Sequence, residues 1–293
     1  MQEPKDWISN AQEGFSRRQF MAGAAATGAS VAGFAIAAGP VAAQVVATPT
    51  AGLATAESKV AVGGFQVPIY EARPAAAGRY PVVLVIPEIW GMHEHIKDVA
   101  RRFAKEGFLG ITFETYAREG GVLQLPDQAA VLKVVNAVPD AQVMGDLDGL
   151  AAYAKQHPSA RGDRMGVTGF CRGGMYTLLY AAHNHDMKAA VPWYGPIKPA
   201  KTAGIRSVGP LDVAARIKCP VLGLYGEADQ GIPAGDVKEM EAALKAAGTL
   251  AEFVLYPGAP HAFHADYRPS YRPEAARDAW GRCVSWFNTY LKA

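Results

Sequence analysis

Short apolar segments rich in β-branched residues alternate along the chain with longer segments of helical periodicity. The clearest is YPVVLVI at 80–86, a continuous apolar run of the kind that is buried on both faces of a parallel sheet. Further strands are predicted at 60–70 (edge strands), 108–113, 164–170, 189–194, 220–225 and 251–256, and helices at 96–106, 146–156, 173–183, 234–247 and 274–291. Strands that alternate with helices indicate an α/β domain with a mostly parallel, doubly wound sheet flanked by helices.

The composition excludes several other classes of protein. The 293 residues carry a formal net charge of +2 and 50% of them are hydrophobic, whereas a disordered chain needs low hydrophobicity and high net charge. A nucleic-acid-binding domain normally has a strong basic excess, so no nucleic-acid partner is expected. Three cysteines are too few for a disulfide scaffold at this length.

The N-terminal segment predicts export rather than a part of the fold. The pair Arg17 and Arg18, followed by Phe20 and an Ala- and Gly-rich apolar stretch, is typical of a twin-arginine signal peptide. A small-residue cleavage site ends at Ala43, so we expect removal of residues 1–43 and a single domain over 44–293. An uncleaved anchor and an ordinary helix are the alternatives. We therefore expect the twin-arginine export machinery as a partner, and the periplasm or the cell exterior as the destination.

A cysteine occupies the position of a nucleophile between a predicted strand and a predicted helix. In the segment GFCRGG at 169–174, Cys171 lies between glycines, as in a G-x-S-x-G elbow, where small residues allow the close backbone packing of a sharp turn. The N-terminus of the following helix favours a thiolate, which is the nucleophilic form of cysteine. A small buried cysteine in a tight turn is the alternative interpretation.

An acid and a base follow Cys171 in the order that the elbow motif requires. Asp229 and His261 each come just after a predicted apolar strand, and the carboxyl ends of parallel strands meet at the edge where open α/β sheets build their sites. We therefore predict that Cys171 attacks an acyl carbonyl, His261 transfers protons and Asp229 orients His261. The backbone N–H groups of Ile89 and Arg172 are the predicted oxyanion donors.

Four motifs together resemble the dienelactone hydrolase (carboxymethylenebutenolidase) family of α/β-hydrolases, from residue 60 to the C-terminus. They are PEIWG at 87–91, YAR at 116–118, the GFCRGG elbow, and the Asp229/His261 pair. The resemblance implies an α/β-hydrolase fold and a carboxylic ester hydrolase that needs no cofactor. It also implies that Glu88 contacts the nucleophilic cysteine and controls its ionisation. For Glu88, a surface carboxylate or a helix cap is the alternative.

The resemblance further implies a substrate that bears a carboxylate bound by arginines. Arg118 matches one of these arginines, whereas His264 stands where the family has the second. His264, or Arg268 beyond it, is the candidate for this second anion contact, and ordinary loop solvation is the alternative for both. Trp193 and Tyr194 are predicted either to line the pocket or to pack in the core.

Two other groups of residues are weaker signals. His93, Glu94 and His95 have the composition of a metal motif, but histidines at i and i+2 do not share a helix face, and no cluster completes the set. We therefore predict no metal site. Cys219 and Cys283 are expected to be buried thiols, with a disulfide between them as the alternative.

These observations predict an exported hydrolase that cleaves a small ester or lactone through a Cys-His-Asp triad and an acyl-enzyme. A broad-specificity carboxylesterase or thioesterase is one alternative, and a non-catalytic small-molecule binding protein with the same fold is another. A thiol-redox protein is disfavoured, because neither a C-x-x-C motif nor a nearby resolving cysteine accompanies Cys171.

Overall fold

An eight-stranded sheet forms the centre of residues 47–292, the part of the chain that the computed structural model describes. The strands are β1 (Leu53–Val62), β2 (Phe65–Pro74), β3 (Tyr80–Ile86), β4 (Leu109–Phe113), β5 (Ala160–Phe170), β6 (Met187–Trp193), β7 (Val221–Gly226) and β8 (Ala251–Tyr256). Their order across the sheet is β1-β2-β4-β3-β5-β6-β7-β8. Strands β3 to β8 pair in parallel, and only β1 with β2 and β2 with β4 are antiparallel. The predicted mostly parallel sheet is therefore confirmed.

Helices cover both faces of the sheet. They are α1 (Glu94–Lys105), α2 (Gln128–Ala137), α3 (Asp140–Gln156), α4 (Arg172–His183), α5 (Ala234–Ala246) and α6 (Pro273–Leu291). On one face α1 packs against α6, where the ring of Phe103 lies 4.7 Å from that of Trp280, and α3 packs against α4 on the other. Because inner strands contact helices on both sides, β3 is apolar at every position after its first residue and buried there.

Two regions differ from the sequence-based expectation. The predicted edge strands at 60–70 belong to a longer antiparallel hairpin, β1 and β2, which turns at 63–64. Strand β1 is mostly exposed, so its sequence lacks the apolar run that marks the buried strands. Helix α3 begins at Asp140 rather than at residue 146, and a short helix, α2, precedes it.

All three cysteines are buried and free. Cys283 lies on α6 with no exposed surface, and burial raises the pKa of its thiol well above the usual range. Cys219 is also buried, just before β7, and burial raises the pKa of its thiol to about 12. The expectation of two buried thiols is confirmed, and the alternative of a disulfide between them is wrong.

The predicted signal peptide, residues 1–43, lies outside the described residues. From residue 47 to residue 292, none of the helices has both the length and the apolar character that a membrane crossing requires. The first strand begins at Leu53, which lies beyond the predicted cleavage site after Ala43.

Candidate active site

Cys171 lies at a sharp turn between the end of β5 and the start of α4. Its backbone has φ 55° and ψ −120°, a conformation that L-residues rarely adopt and that is found at strained functional positions. A Cβ on Gly169 would lie 2.4 Å from the carbonyl oxygen of Gly173, and one on Gly173 would lie 2.3 Å from that of Ile86. Both positions therefore require glycine, and the close approach brings the start of α4 against the end of β3.

Two backbone N–H groups beside this turn are available as hydrogen-bond donors. The N–H of Cys171 itself donates to the carbonyl oxygen of Trp193 at 3.0 Å. Within residues 47–292, no hydrogen bond uses the N–H of Arg172, the first residue of α4, or that of Ile89, in the loop after β3. These are the two groups that the sequence predicts as oxyanion donors, and that assignment stays a prediction.

The structure brings Cys171, His261 and Asp229 together at the carboxyl edge of the sheet. His261 Nδ1 lies 2.7 Å from Oδ2 of Asp229, and His261 also hydrogen-bonds the Cys171 side chain. Asp229 is fixed in turn, because its Oδ1 accepts from the N–H groups of Gly231 at 2.8 Å and Ile232 at 3.2 Å. An imidazole between a thiol and a carboxylate is arranged for proton transfer to and from sulfur.

The environment of His261 favours its protonated form. Burial alone would lower the pKa of His261, but the charges of Cys171 and Asp229 and the hydrogen bonds to both raise it to about 10. All three side chains are largely shielded from solvent, since Cys171 is 5% exposed, Asp229 6% and His261 9%. This arrangement stabilises an imidazolium next to a nucleophilic sulfur at neutral pH.

The two aromatic residues after β6 have different surroundings. The ring of Tyr194 makes an edge contact with His261 at 5.2 Å, so it packs directly against the candidate base. Trp193 is fully buried, its Nε1 donates to Thr168 Oγ1 at 3.1 Å, and its ring lies 5.3 Å from Phe170. Trp193 therefore belongs to the core, which is the alternative to the pocket-lining role considered from the sequence.

Glu88 is buried and fully engaged by three residues. Its Oε1 accepts from His93 Nε2 at 2.9 Å and from the hydroxyl of Tyr267, and its Oε2 accepts from Arg268 Nη2 at 3.2 Å. Burial would raise the pKa of Glu88, but the charge of Arg268 and the hydrogen bond from His93 lower it to about 2. None of the hydrogen bonds described for Glu88 reaches Cys171. The contact between this carboxylate and the thiol that the resemblance implies stays a prediction.

The side chains of two arginines among the predicted site residues bind partners outside the triad. Arg118 Nη2 donates to Asp146 Oδ1 at 2.6 Å and to the carbonyl oxygen of Val62 at 3.0 Å, so its guanidinium joins β1 to α3. The Arg172 side chain is turned toward α2, where its Nη2 donates to Asn136 Oδ1 at 2.5 Å. Neither of these described contacts involves the triad.

His264 is the clearest correction. Its ring is 2% exposed and lies 4.5 Å from the ring of Trp193, 5.4 Å from Phe170 and 6.0 Å from Trp280. Burial holds the pKa of His264 well below its usual range, so the ring is neutral. A neutral imidazole packed among aromatic rings is not an anion site, and Arg268 is the residue of this loop that binds a carboxylate.

The His-Glu-His segment has a role that the sequence analysis missed. Within the described chain, no group of three or more His, Cys, Asp and Glu side chains is placed to hold a metal ion. Instead His93 and His95 each bond a single buried carboxylate, that of Glu88 for His93 and that of Asp266 for His95. The available sequence signal was the location of both histidines just after the PEIWG segment. The partner of His93, Glu88, belongs to that segment, whereas Asp266, the partner of His95, lies 171 residues further along the chain.

The fold, together with a nucleophile elbow at the carboxyl edge of its sheet, defines the α/β-hydrolase class. Residues 67–291 match the dienelactone hydrolase family, and the chain belongs to that family. The resemblance inferred from the sequence is thereby confirmed, and so is the expectation of a hydrolase.

Curated relatives and a solved structure agree with this assignment. A protein of Methylorubrum extorquens named "Putative carboxymethylenebutenolidase" is 51% identical over 244 residues, which cover 83% of this chain and 84% of that protein. A Bradyrhizobium protein named "Probable 2-oxo-3-(5-oxofuran-2-ylidene)propanoate lactonase" is 35% identical over 225 residues, 76% of this chain and 89% of that one. The crystal structure of a Klebsiella pneumoniae protein described as "Putative Dienelactone Hydrolase" aligns with a TM-score of 0.78 and 46% identity, over 81% of this chain and 99% of that one.

Proposed function

We propose that this chain hydrolyses a small ester or lactone with Cys171 as the nucleophile, His261 as the acid and base, and Asp229 as the residue that orients His261. The observation that supports this most strongly is the hydrogen-bonded series from Cys171 through His261 to Asp229, with the sulfur at a strained elbow and at a helix N-terminus. Relatives named as a carboxymethylenebutenolidase and as a lactonase are consistent with an ester or lactone bond as the target.

The reaction proceeds through an acyl-enzyme. The sulfur of Cys171 adds to the acyl carbonyl carbon, and the electron pair of the C=O bond moves onto oxygen, where the N–H groups of Ile89 and Arg172 stabilise the charge. The tetrahedral adduct collapses, the ester C–O bond breaks, and the imidazolium of His261 gives its proton to the leaving oxygen. Water then attacks the thioester while His261 takes a proton from it, which releases the carboxylic acid and restores the sulfur.

The location of Arg268 is an argument for a substrate that carries a carboxylate. This residue lies on the loop that follows His261 and already pairs with a carboxylate, that of Glu88, in a buried setting. Arg268 lies on the loop that carries His261, whereas the Arg118 guanidinium joins β1 to α3 and the His264 ring is neutral, so Arg268 is the candidate for the anion contact. We propose that a substrate carboxylate is recognised through Arg268. A broad-specificity carboxylesterase or thioesterase would not depend on this residue.

A matched pair of substrates tests this assignment. For an unsaturated lactone with a free carboxylate, Arg268→Gln should raise KM by about 10- to 100-fold, since a lost charge-assisted hydrogen bond of about 1.5–3 kcal/mol corresponds to such a factor. For the methyl ester of the same lactone, KM should change by less than about 3-fold. Arg282→Gln, on the exposed surface of α6, is the control and should leave both values unchanged.

Equal losses on the two lactones would contradict carboxylate recognition by Arg268 and favour a broad-specificity esterase. Absence of turnover for every lactone, ester and thioester offered to the wild-type protein would contradict hydrolysis itself. In that case a non-catalytic binding protein with this fold would be the better account.

We also propose that residues 1–43 direct export through the twin-arginine machinery to the periplasm or beyond. The twin arginines at 17 and 18 and the small residues before Gln44 support this. The first described strand begins at Leu53, beyond the predicted cleavage site. N-terminal sequencing of the protein recovered from the periplasm should begin at Gln44, and a chain that retains Met1 in the cytoplasm would contradict export.

A further inference from the structure

Three consecutive residues on the loop after His261 bind the loop that follows β3 and the first turn of α1. Asp266 Oδ1 lies 3.1 Å from His95 Nδ1, the hydroxyl of Tyr267 donates to Glu88, and Arg268 pairs with Glu88 at 3.2 Å. All three side chains are buried, at 2%, 3% and 7% exposure in chain order. Two segments that are distant in sequence are thus joined side by side by hydrogen bonds that solvent does not screen.

Asp266 is itself anchored to a rigid element. Its Oδ2 accepts from Arg102 Nη2 at 2.5 Å, and Arg102 Nε in turn donates to Asp98 Oδ2 at 2.7 Å, one turn earlier on α1. Burial would raise the pKa of Asp266, but His95 and Arg102 hold it below its usual range. Burial also lowers the pKa of His95, so a neutral imidazole donates its Nδ1–H to an ionised carboxylate.

The two joined loops carry different parts of the proposed machinery. The loop after β8 carries His261, the proposed acid and base. The loop after β3 carries Ile89, a proposed oxyanion donor that directly follows Glu88. The second loop is also held from its other side, because the N–H of Met92 donates to Glu114 at 2.9 Å and a Cβ on Gly91 would clash with the same carboxylate. The position of Ile89 is therefore set by contacts on both flanks.

We propose that Asp266 and Tyr267 act as a clamp that positions the Ile89 N–H relative to the sulfur of Cys171 and the imidazole of His261. Both are positioning residues, since they bind His95 and Glu88 rather than the reacting atoms. The proposal rests on the proposed function, because the oxyanion donor matters only if an acyl group passes through Cys171. Oxyanion stabilisation therefore depends on the clamp, whereas the nucleophilicity of the sulfur does not.

Two reactions of the same sulfur separate these contributions. Hydrolysis of an activated ester develops an oxyanion and needs the Ile89 N–H, whereas alkylation of Cys171 by iodoacetamide displaces iodide at a saturated carbon and develops none. Tyr267→Phe removes only the hydroxyl on Glu88, and Asp266→Asn removes the carboxylate charge to which Arg102 and the Nδ1–H of His95 donate. Each variant should lower kcat about 10-fold or more, since loss of a whole oxyanion donor costs about 10²- to 10³-fold.

The same variants should leave KM within about 3-fold and the alkylation rate within about 2-fold of wild type. Asp278→Asn on the exposed face of α6 is the matched control and should change neither rate. An unchanged kcat in both clamp variants would overturn the proposal. An equal fall of kcat and of the alkylation rate would also overturn it, because the substitution would then have altered the nucleophile or the fold.

Failure of the proposed function would give a different result in the same assays. Wild-type protein would then show no turnover of the ester, or Cys171→Ala would retain it, whatever the clamp variants do. Thermal unfolding of Tyr267→Phe provides the check on folding, since this variant keeps the ring that packs against His93 and His95.

Discussion

Replacing Cys171 by alanine is expected to lower kcat by at least about 10⁴-fold, because it removes the sulfur on which the proposed acyl-enzyme forms. The variant should remain folded, since alanine fits the space of the thiol and the glycines that shape the elbow are unchanged. Steady-state hydrolysis of a small activated ester measures the loss. Substrate binding should persist, because the residues that contact the rest of the substrate are intact.

The chain offers a matched control for this substitution. Cys219 is a second buried thiol, and burial raises its pKa to about 12, so it is neither ionised nor activated at neutral pH. Cys219→Ala should leave kcat within about 2-fold of wild type, as expected for a substitution that removes no group acting in the transition state. If Cys171→Ala retained more than a hundredth of the wild-type kcat, the nucleophile would have to be sought elsewhere.

Replacing His261 by glutamine is expected to lower kcat/KM by about 10²- to 10⁴-fold, the usual contribution of general acid–base catalysis. The pKa of His261 is raised to about 10, so at pH 7 it holds the proton that the leaving oxygen needs and stabilises charge on Cys171. Without the imidazolium, alkylation of Cys171 at pH 7 should slow as well. Parallel measurements of hydrolysis and alkylation against pH check both effects.

A second histidine serves as the comparison. His183, the last residue of α4, also pairs with an aspartate, Asp148 of α3, at 2.7 Å, but both side chains are well exposed. His183→Gln should leave hydrolysis and alkylation unchanged, because an exposed ion pair contributes little and lies away from the sulfur. Alkylation of His261→Gln at the wild-type rate would contradict the pairing of His261 with the Cys171 sulfur.

The buried parts of the fold were predictable because their local patterns are strong. The apolar run of β3 is observed at the predicted bounds, since a strand buried on both faces has to be apolar throughout. The exposed strand β1 has a mixed sequence, and only its pairing with β2 defines it. The start of α3 was missed because Asp140 begins the helix without a side-chain cap on its preceding residue.

Some residues of the candidate site were predictable from the sequence and others were not. The carboxyl ends of the strands in a parallel sheet lie at one edge of the sheet, whatever the conformation of the loops. This made it possible to predict that Cys171, Asp229 and His261 lie together. The partners of Glu88 were not predictable, since Tyr267 and Arg268 lie 179 and 180 residues away in sequence, and only the packing of two loops brings them together. The apparent anion site at His264 failed for a similar reason. Its charge depends on burial among aromatic rings, which the local sequence does not encode.

The proposed mechanism requires the acyl group to pass through the sulfur of Cys171. Rapid acid quench during turnover of a slowly deacylated ester, followed by peptide mass spectrometry, tests it most directly. We expect an acyl mass increment on the peptide that contains Cys171, removed by hydroxylamine and absent from Cys171→Ala. Full turnover with no increment on that peptide, or with the increment on another residue, would contradict it.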